Sequence, residues 1–256
     1  MRHVAFVAAL CLLIAPGHSL GQKNDTNLKA YLDGVTERGR ALFAYDQAAW
    51  HGTDAFLELK PDTNHIAHYI CTKTPTGWLV TFPKWNDAHD KLLVAYEAVE
   101  SVPGKYLARR YDPPKEASED LTAQERALEL AISTFQHPNR PYNTAILPAA
   151  DGTIYVYLYP AQTKDTVWPL GGDVRCTIAP HGKQILETRQ LHKSILEFES
   201  NAKAVGGMHS HVLSDVPEDT DVLYVLNRKP SMPEYIGTAK GVYAVNADGS
   251  ISIVKR

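Results

Sequence analysis

Cysteine is scarce in this chain: there are three in 256 residues, and one of them, Cys11, lies inside an apolar leader. Cys71 and Cys176 remain. They are too few for a disulfide framework and lack the Cys-x-x-Cys spacing of a redox or zinc pair. They either bridge the two halves of the chain or sit as two separately buried thiols. A charge excess of one sign is also missing. With 26 Lys plus Arg against 29 Asp plus Glu, no basic stripe exists, which argues against a nucleic-acid partner. Beyond the leader, no apolar run approaches the roughly 18 residues that a membrane-spanning helix needs. There is no Gly-x-Ser-x-Gly elbow, internal repeat or low-complexity tract. Gly171-Gly172-Asp173 lacks the further glycine and lysine of a phosphate loop and reads as a turn entering a strand. What is present, 44% hydrophobic and 21% charged residues, is the balance of a folded protein with one large domain or two small ones.

The chain opens with Arg2 and His3, an apolar run from Val4 to Ala15, Pro16-Gly17, and small residues at Ser19 and Gly21. This order predicts a secretory signal peptide over 1–21, too short to span a bilayer. The expectation is a secreted or periplasmic protein with no membrane span.

Residues 22–111 predict a smaller α+β region to which no role can be assigned. Its helix, from Asn27, places Leu28, Leu32, Val35, Leu42 and Phe43 at roughly helical spacing. A hairpin follows, with Thr74-Pro75-Thr76-Gly77 as its turn, and then strands over 91–100 and 105–111. The polar, proline-bearing stretch 112–120 reads as a linker. Residues 121–256 predict an α+β domain with a mostly antiparallel sheet. Its first helix opens on a Thr122-Ala-Gln-Glu125 capping box and carries Leu128, Ala131, Ile132 and Phe135 on one face. Hairpins turn at 150–152 and 180–183, a short helix covers 191–198, and an Ala-Asp-Gly turn at 247–249 joins the last strands.

One constellation carries chemistry. Gly206-Gly207-Met208-His209-Ser210-His211 leads through an acidic turn to Asp221. On a strand, the two-residue period puts His209 and His211 on one face, so both can ligate one ion. Asp221 is far enough along for a loop to return its carboxylate. Two histidines and one carboxylate leave a fourth position open on Zn²⁺, the arrangement of a hydrolytic zinc.

The segment Gly207-Met-His-Ser-His211 with Pro217-Glu-Asp-Thr-Asp221-Val222 resembles the JAB/MPN (JAMM) metalloprotease motif. It is most similar to the JAB-like domains of bacterial polymorphic toxins. The resemblance extends over about 121–256, through Asn139-Arg-Pro-Tyr-Asn143 and the closing strands, and is specific around 207–222. It implies zinc on His209, His211 and Asp221, and a zinc-dependent hydrolase of peptide or isopeptide bonds that uses metal-activated water. The motif is degenerate. Glu218 stands where the family has its oxyanion serine, Val212 replaces the common proline, and Pro141 stands near the position of the general-base glutamate. Proton transfer then falls to another carboxylate. Glu187, Glu218 and Asp219 are the candidates, and Glu218, three residues before Asp221, is the nearest; it also suits a helix N-terminus with no catalytic part. The alternative to the hydrolase is an inactive JAB-like binding or interaction module, its partner a protein or peptide. A third reading leaves the histidine pair incidental.

Other histidines point elsewhere. His65 and His68, three apart on a strand, face opposite sides. His192 is a surface or core residue unless the fold brings it to the site as a fourth ligand or proton carrier. Tyr155, Tyr157 and Tyr159 form a packing stripe.

Overall fold

The computed structural model describes residues 20–66, 68–136, 139–199, 201 and 203–255. The leader over 1–21 lies outside them apart from its last two positions. Among the described residues the fold is α+β, with three helices and fourteen strands in mostly antiparallel sheets. None of these helices is long and apolar enough to cross a membrane.

Helix α1 (Leu20–Glu58) is followed by a four-stranded meander of β1 (Ile70–Thr74), β2 (Gly77–Trp85), β3 (Leu92–Val102) and β4 (Lys105–Glu116). After α2 (Glu119–Thr134), a second sheet orders β5 (Tyr142–Pro148), β6 (Ile154–Pro160), β8 (Val174–Ile178) and β9 (Ile185–Gln190) as 5-6-8-9. A ribbon pairs β7 (Val167–Gly171) with β10 (Ile195–Glu199). The last sheet holds β11 (Gly207–Ser210), β12 (Glu234–Thr238), β13 (Gly241–Val245) and β14 (Ile251–Lys255), with helix α3 (Asp219–Asn227) between its first two strands. The β11–β12 pair is parallel, which α3 as a crossover permits.

The helical spacing in α1 buries Leu32, Val35, Leu42, Tyr45, Ala48, Ala49 and Phe56. One apolar core runs from α1 through β1–β3, α2 and the second sheet to Leu223 of α3, so both halves of the chain share it. A smaller cluster joins Val35 of α1 to Trp168, Val222, Val225, Ile236 and Val245.

Three expectations need correction. The stretch 112–120 is not a linker: β4 continues through Glu116, which pairs with Leu93. Pro113 and Pro114 fall where the register shifts, between the Tyr96–Arg110 and Val94–Lys115 pairs. A bulge tolerates a residue with no N–H to donate. Helix α2 begins at Glu119, because the Ser118 side chain caps it by accepting from Leu121 N (3.2 Å). Glu125, read as part of a capping box, is buried against His68 instead. Residues 191–198 form no helix. Ile195 to Glu199 form a strand, with Phe198 opposite Trp168. Cys71 and Cys176 are two separate buried thiols, and burial raises the pKa of both.

Helices α1 and α3 touch at Gly39. A Cβ there would lie 2.3 Å from Val222 Cβ and 2.7 Å from Asp219 O. Just beside this contact, the Arg38 guanidinium grips Asp219 (Nε–Oδ1 3.0 Å, Nη2–Oδ1 2.9 Å). Alanine is a better helix former than glycine by about 1 kcal/mol, but overpacking costs about 1–3 kcal/mol. Gly39→Ala should therefore lower stability in denaturant titration; an unchanged or higher midpoint would show that α1 and α3 do not pack this closely.

In the meander, buried Glu97 meets Lys115 (2.6 Å), Tyr111 (2.7 Å) and Arg109. Burial alone would raise its pKa, but Lys115, Arg109 and Tyr111 outweigh it and hold the carboxylate below its ordinary value. A depressed pKa contributes stability above the unfolded-state value and loses it as pH falls through the folded one. Glu97→Gln should cost about 1–2 kcal/mol at pH 7, and the cost should shrink below about pH 4. A pH-independent difference between the two proteins would contradict the assignment.

Candidate metal centre

Strand β11 is four residues long, and His211 extends its ladder by donating its backbone N–H to Gly237 O (2.8 Å). The two-residue period holds: His209 Nε2 and His211 Nε2 lie 3.1 Å apart. Asp221, in the first turn of α3, brings Oδ1 to 3.1 Å from His209 Nε2 and Oδ2 to 3.3 Å from His211 Nε2. A fourth group joins them. His192, in the loop after β9, places Nε2 at 2.9 Å from His211 Nε2 and 3.1 Å from Asp221 Oδ1. All four residues are buried.

The opposite nitrogen of each ring fixes its orientation. His192 Nδ1 donates to Asp173 Oδ1 (2.8 Å), and Asp173 also accepts the His192 backbone N–H (3.1 Å). His209 Nδ1 donates to Glu234 Oε1 (3.0 Å), and Arg228 holds the other oxygen of that carboxylate (2.8 Å). His211 Nδ1 donates to Val216 O (3.0 Å), and Ser214 adds its hydroxyl. Asp221 Oδ2 accepts the backbone N–H of Glu218 (2.7 Å). Carboxylates and a carbonyl only accept, so each Nδ1 carries a hydrogen and each Nε2 faces inward, as a lone pair whenever its ring is neutral. Three Nε2 atoms and a carboxylate then face one point.

Such a point favours positive charge. Burial opposes protonation of His192 and His209, but Asp173 and Asp221 outweigh it at His192, and Asp221 and Glu234 at His209. The His192 pKa rises well above that of an ordinary imidazole, and the His209 pKa rises to about 9. Burial would likewise raise Asp221, yet His192, His209 and His211 hold it well below the carboxylate range. A divalent ion meets the same need more fully. Ligand atoms about 2.0–2.1 Å from a tetrahedral ion stand about 3.3–3.4 Å apart, close to the observed 2.9–3.3 Å separations. Three imidazoles and one carboxylate suit zinc and its transition-metal neighbours rather than Ca²⁺ or Mg²⁺, which take oxygen.

Glycines make the approach possible. A Cβ on Gly207 would lie 2.0 Å from Glu234 Oε2, so only glycine leaves room for the carboxylate that supports His209. Gly171, at φ +83°, would put a Cβ 2.9 Å from that of His192.

Sequence reasoning selected His209, His211 and Asp221, and the fold brings the three together. For His192 the sequence leaves two readings, an ordinary surface or core histidine and a fourth member of the site; the fold brings it to the other three. Asp173, 19 residues from His192, and Glu234, 25 from His209, carried no sequence signal. The carboxylates considered for proton transfer point elsewhere. Glu218 is the N-cap of α3, buried, with its carboxylate on Arg189. Burial lifts its pKa to about 7 against the pull of Arg189. Asp219 receives Arg38, Arg175 and Tyr157, and Glu187 is exposed on β9. His68 pairs with Glu125, whereas His65 is exposed.

A cavity of about 370 Å³ opens beside the cluster. His192, His209 and His211 lie on its wall with Ser194, Val212 and Leu213, and among the described residues no Asp or Glu lines it. No protein-family model matches the chain, and neither does any curated protein or solved structure.

Asp173→Asn keeps an acceptor for His192 but removes the charge behind it. It should weaken zinc affinity about 10-fold to 100-fold in competition with a chromophoric chelator. Unchanged affinity would mean that His192 is no part of the centre.

Proposed function

We propose that the chain holds one zinc-class ion on His192, His209, His211 and Asp221 as an exported binding or interaction module of JAB-like type. The observation that carries this reading is the convergence of four ligand atoms, with the far nitrogen of each ring tied so that its Nε2 faces the same point. The order His209-Ser210-His211, acidic turn, then Asp221 at the start of α3 supports the JAB/MPN likeness. The apolar leader of the sequence supports export.

His192 supports this reading over the hydrolase. With four protein ligands a tetrahedral ion is closed, the mark of a structural or binding centre. Among the described residues no carboxylate lines the cavity to accept a proton, and Glu218 is held by Arg189. One observation favours hydrolysis as the second reading. His192 is the most exposed of the three rings, at 8% against 2% and 1% for His209 and His211, and it lines the cavity. If its ring yields that position, His209, His211 and Asp221 form a three-ligand set, and Asp173 holds His192 beside it as a proton acceptor. Zinc on such a set lowers the pKa of coordinated water to about 7 and polarises a carbonyl.

Cobalt substitution separates the two. In the closed centre the visible spectrum of the Co²⁺-loaded chain is indifferent to azide, and His192→Ala makes it azide-sensitive. Azide sensitivity of the unaltered protein, together with cleavage of peptide or isopeptide substrates that is lost in Asp221→Ala, would overturn the binding-module reading in favour of the hydrolase.

A further inference from the structure

A second and larger cavity, about 620 Å³, lies between α1, β6–β7 and α3. Its volume is that of a pocket for a small molecule or a side chain. It touches the metal centre through Asp173, which lines it and holds His192, yet most of its wall belongs to neither the cluster nor the smaller cavity.

Its charge is one-sided. Among the described residues four carboxylates, Asp46, Asp54, Asp165 and Asp173, line it, against one cationic residue, Lys229. Asp46 is fixed in place: Tyr159 Oη donates to its Oδ1 (2.8 Å), and Asn227 Nδ2 donates to its Oδ2 (3.2 Å). Asp54 and Asp165 are exposed at the mouth. The walls are aromatic, with Trp50, Tyr69, Trp168 and Tyr224 among the lining residues. Trp168 is anchored by its Nε1–H to Asn227 O (3.2 Å). Carboxylates with aromatic faces suit an organic cation, which gains from both charge and ring quadrupole.

A further observation points to a ligand. Thr220, on the first turn of α3, lines this cavity, is 4% exposed, and has a buried hydroxyl oxygen without a hydrogen-bond partner among the described residues. Buried hydroxyls are ordinarily satisfied, and a bound polar group would satisfy this one.

We infer that this cavity receives the cationic side chain, ammonium or guanidinium, of a Lys- or Arg-bearing peptide partner. The inference rests on the interaction-module reading for its meaning and names the chemistry of the partner. It needs no metal, because Asp46, Asp54 and Asp165 stand outside the cluster.

The test uses the full chain and two probes of matched shape, N-acetyl-lysine methylamide and its neutral norleucine analogue, followed by NMR titration. The lysine probe should bind and the norleucine probe should not. Asp54→Asn/Asp165→Asn, at exposed positions that leave the fold intact, should weaken the lysine probe about fivefold. Equal binding of both probes, no binding of the lysine probe, or binding undiminished in the double variant would each overturn the inference. A chain that failed to hold zinc but passed this test would separate the two readings.

Discussion

Three imidazole nitrogens and a carboxylate oxygen share a buried point about 3 Å from one another, an arrangement that favours positive charge, a proton or an ion, among them. That constraint organises the C-terminal half. It explains why each ring is tied at its far nitrogen, why Asp173 and Glu234 are buried although acidic, and why Arg228 stands behind Glu234. Remove the central charge, and the same arrangement becomes electrostatic repulsion in a low-dielectric interior.

The centre also depends on the first turn of α3. Glu218, Asp219, Thr220 and Asp221 are all buried there, an unusual density of acid that the surroundings compensate residue by residue. Glu218 has Arg189. Asp219 draws Arg38 from α1, Arg175 from β8 and Tyr157 from β6. Asp221 has the histidines. Because Asp219 is anchored from three elements, Asp221 two residues later is presented to β11 at a fixed depth. Gly39 lets α1 approach closely enough for Arg38 to reach. The N-terminal helix is thus tied to the placement of Asp221, far along the chain, and the shared apolar core makes the two halves one packing unit.

Much of this was legible in the sequence, for reasons that differ by element. The hairpins at 74–77, 150–152 and 180–183 were legible because turn chemistry is local. His209 and His211 were legible because period two is a property of a strand by itself. The α1 face was legible because its apolar spacing needs no partner to be recognised. What escaped reading is non-local. The prolines at 113–114 suggest a linker until the bulge against β3 is seen, and β10 becomes a strand only because β7 offers it an edge. His192 carries no motif, since its role comes from Asp173 across the β7–β8 turn and from His211 in another sheet. Glu218 offers two readings in sequence, a proton-transfer group and a helix N-terminus; it is the N-cap of α3, and Arg189 from β9, which no local pattern announces, holds its carboxylate.

The most direct measurement of the central claim is the zinc content of the purified chain beside a His209→Ala/His211→Ala variant, by elemental analysis after dialysis. The account requires close to one ion per chain in the first and none in the second, with both folded by circular dichroism. A folded native chain that takes up no zinc, cobalt, iron or nickel when each is supplied would contradict it. The convergence of His192, His209, His211 and Asp221 would then be a proton-bridged core rather than a metal centre.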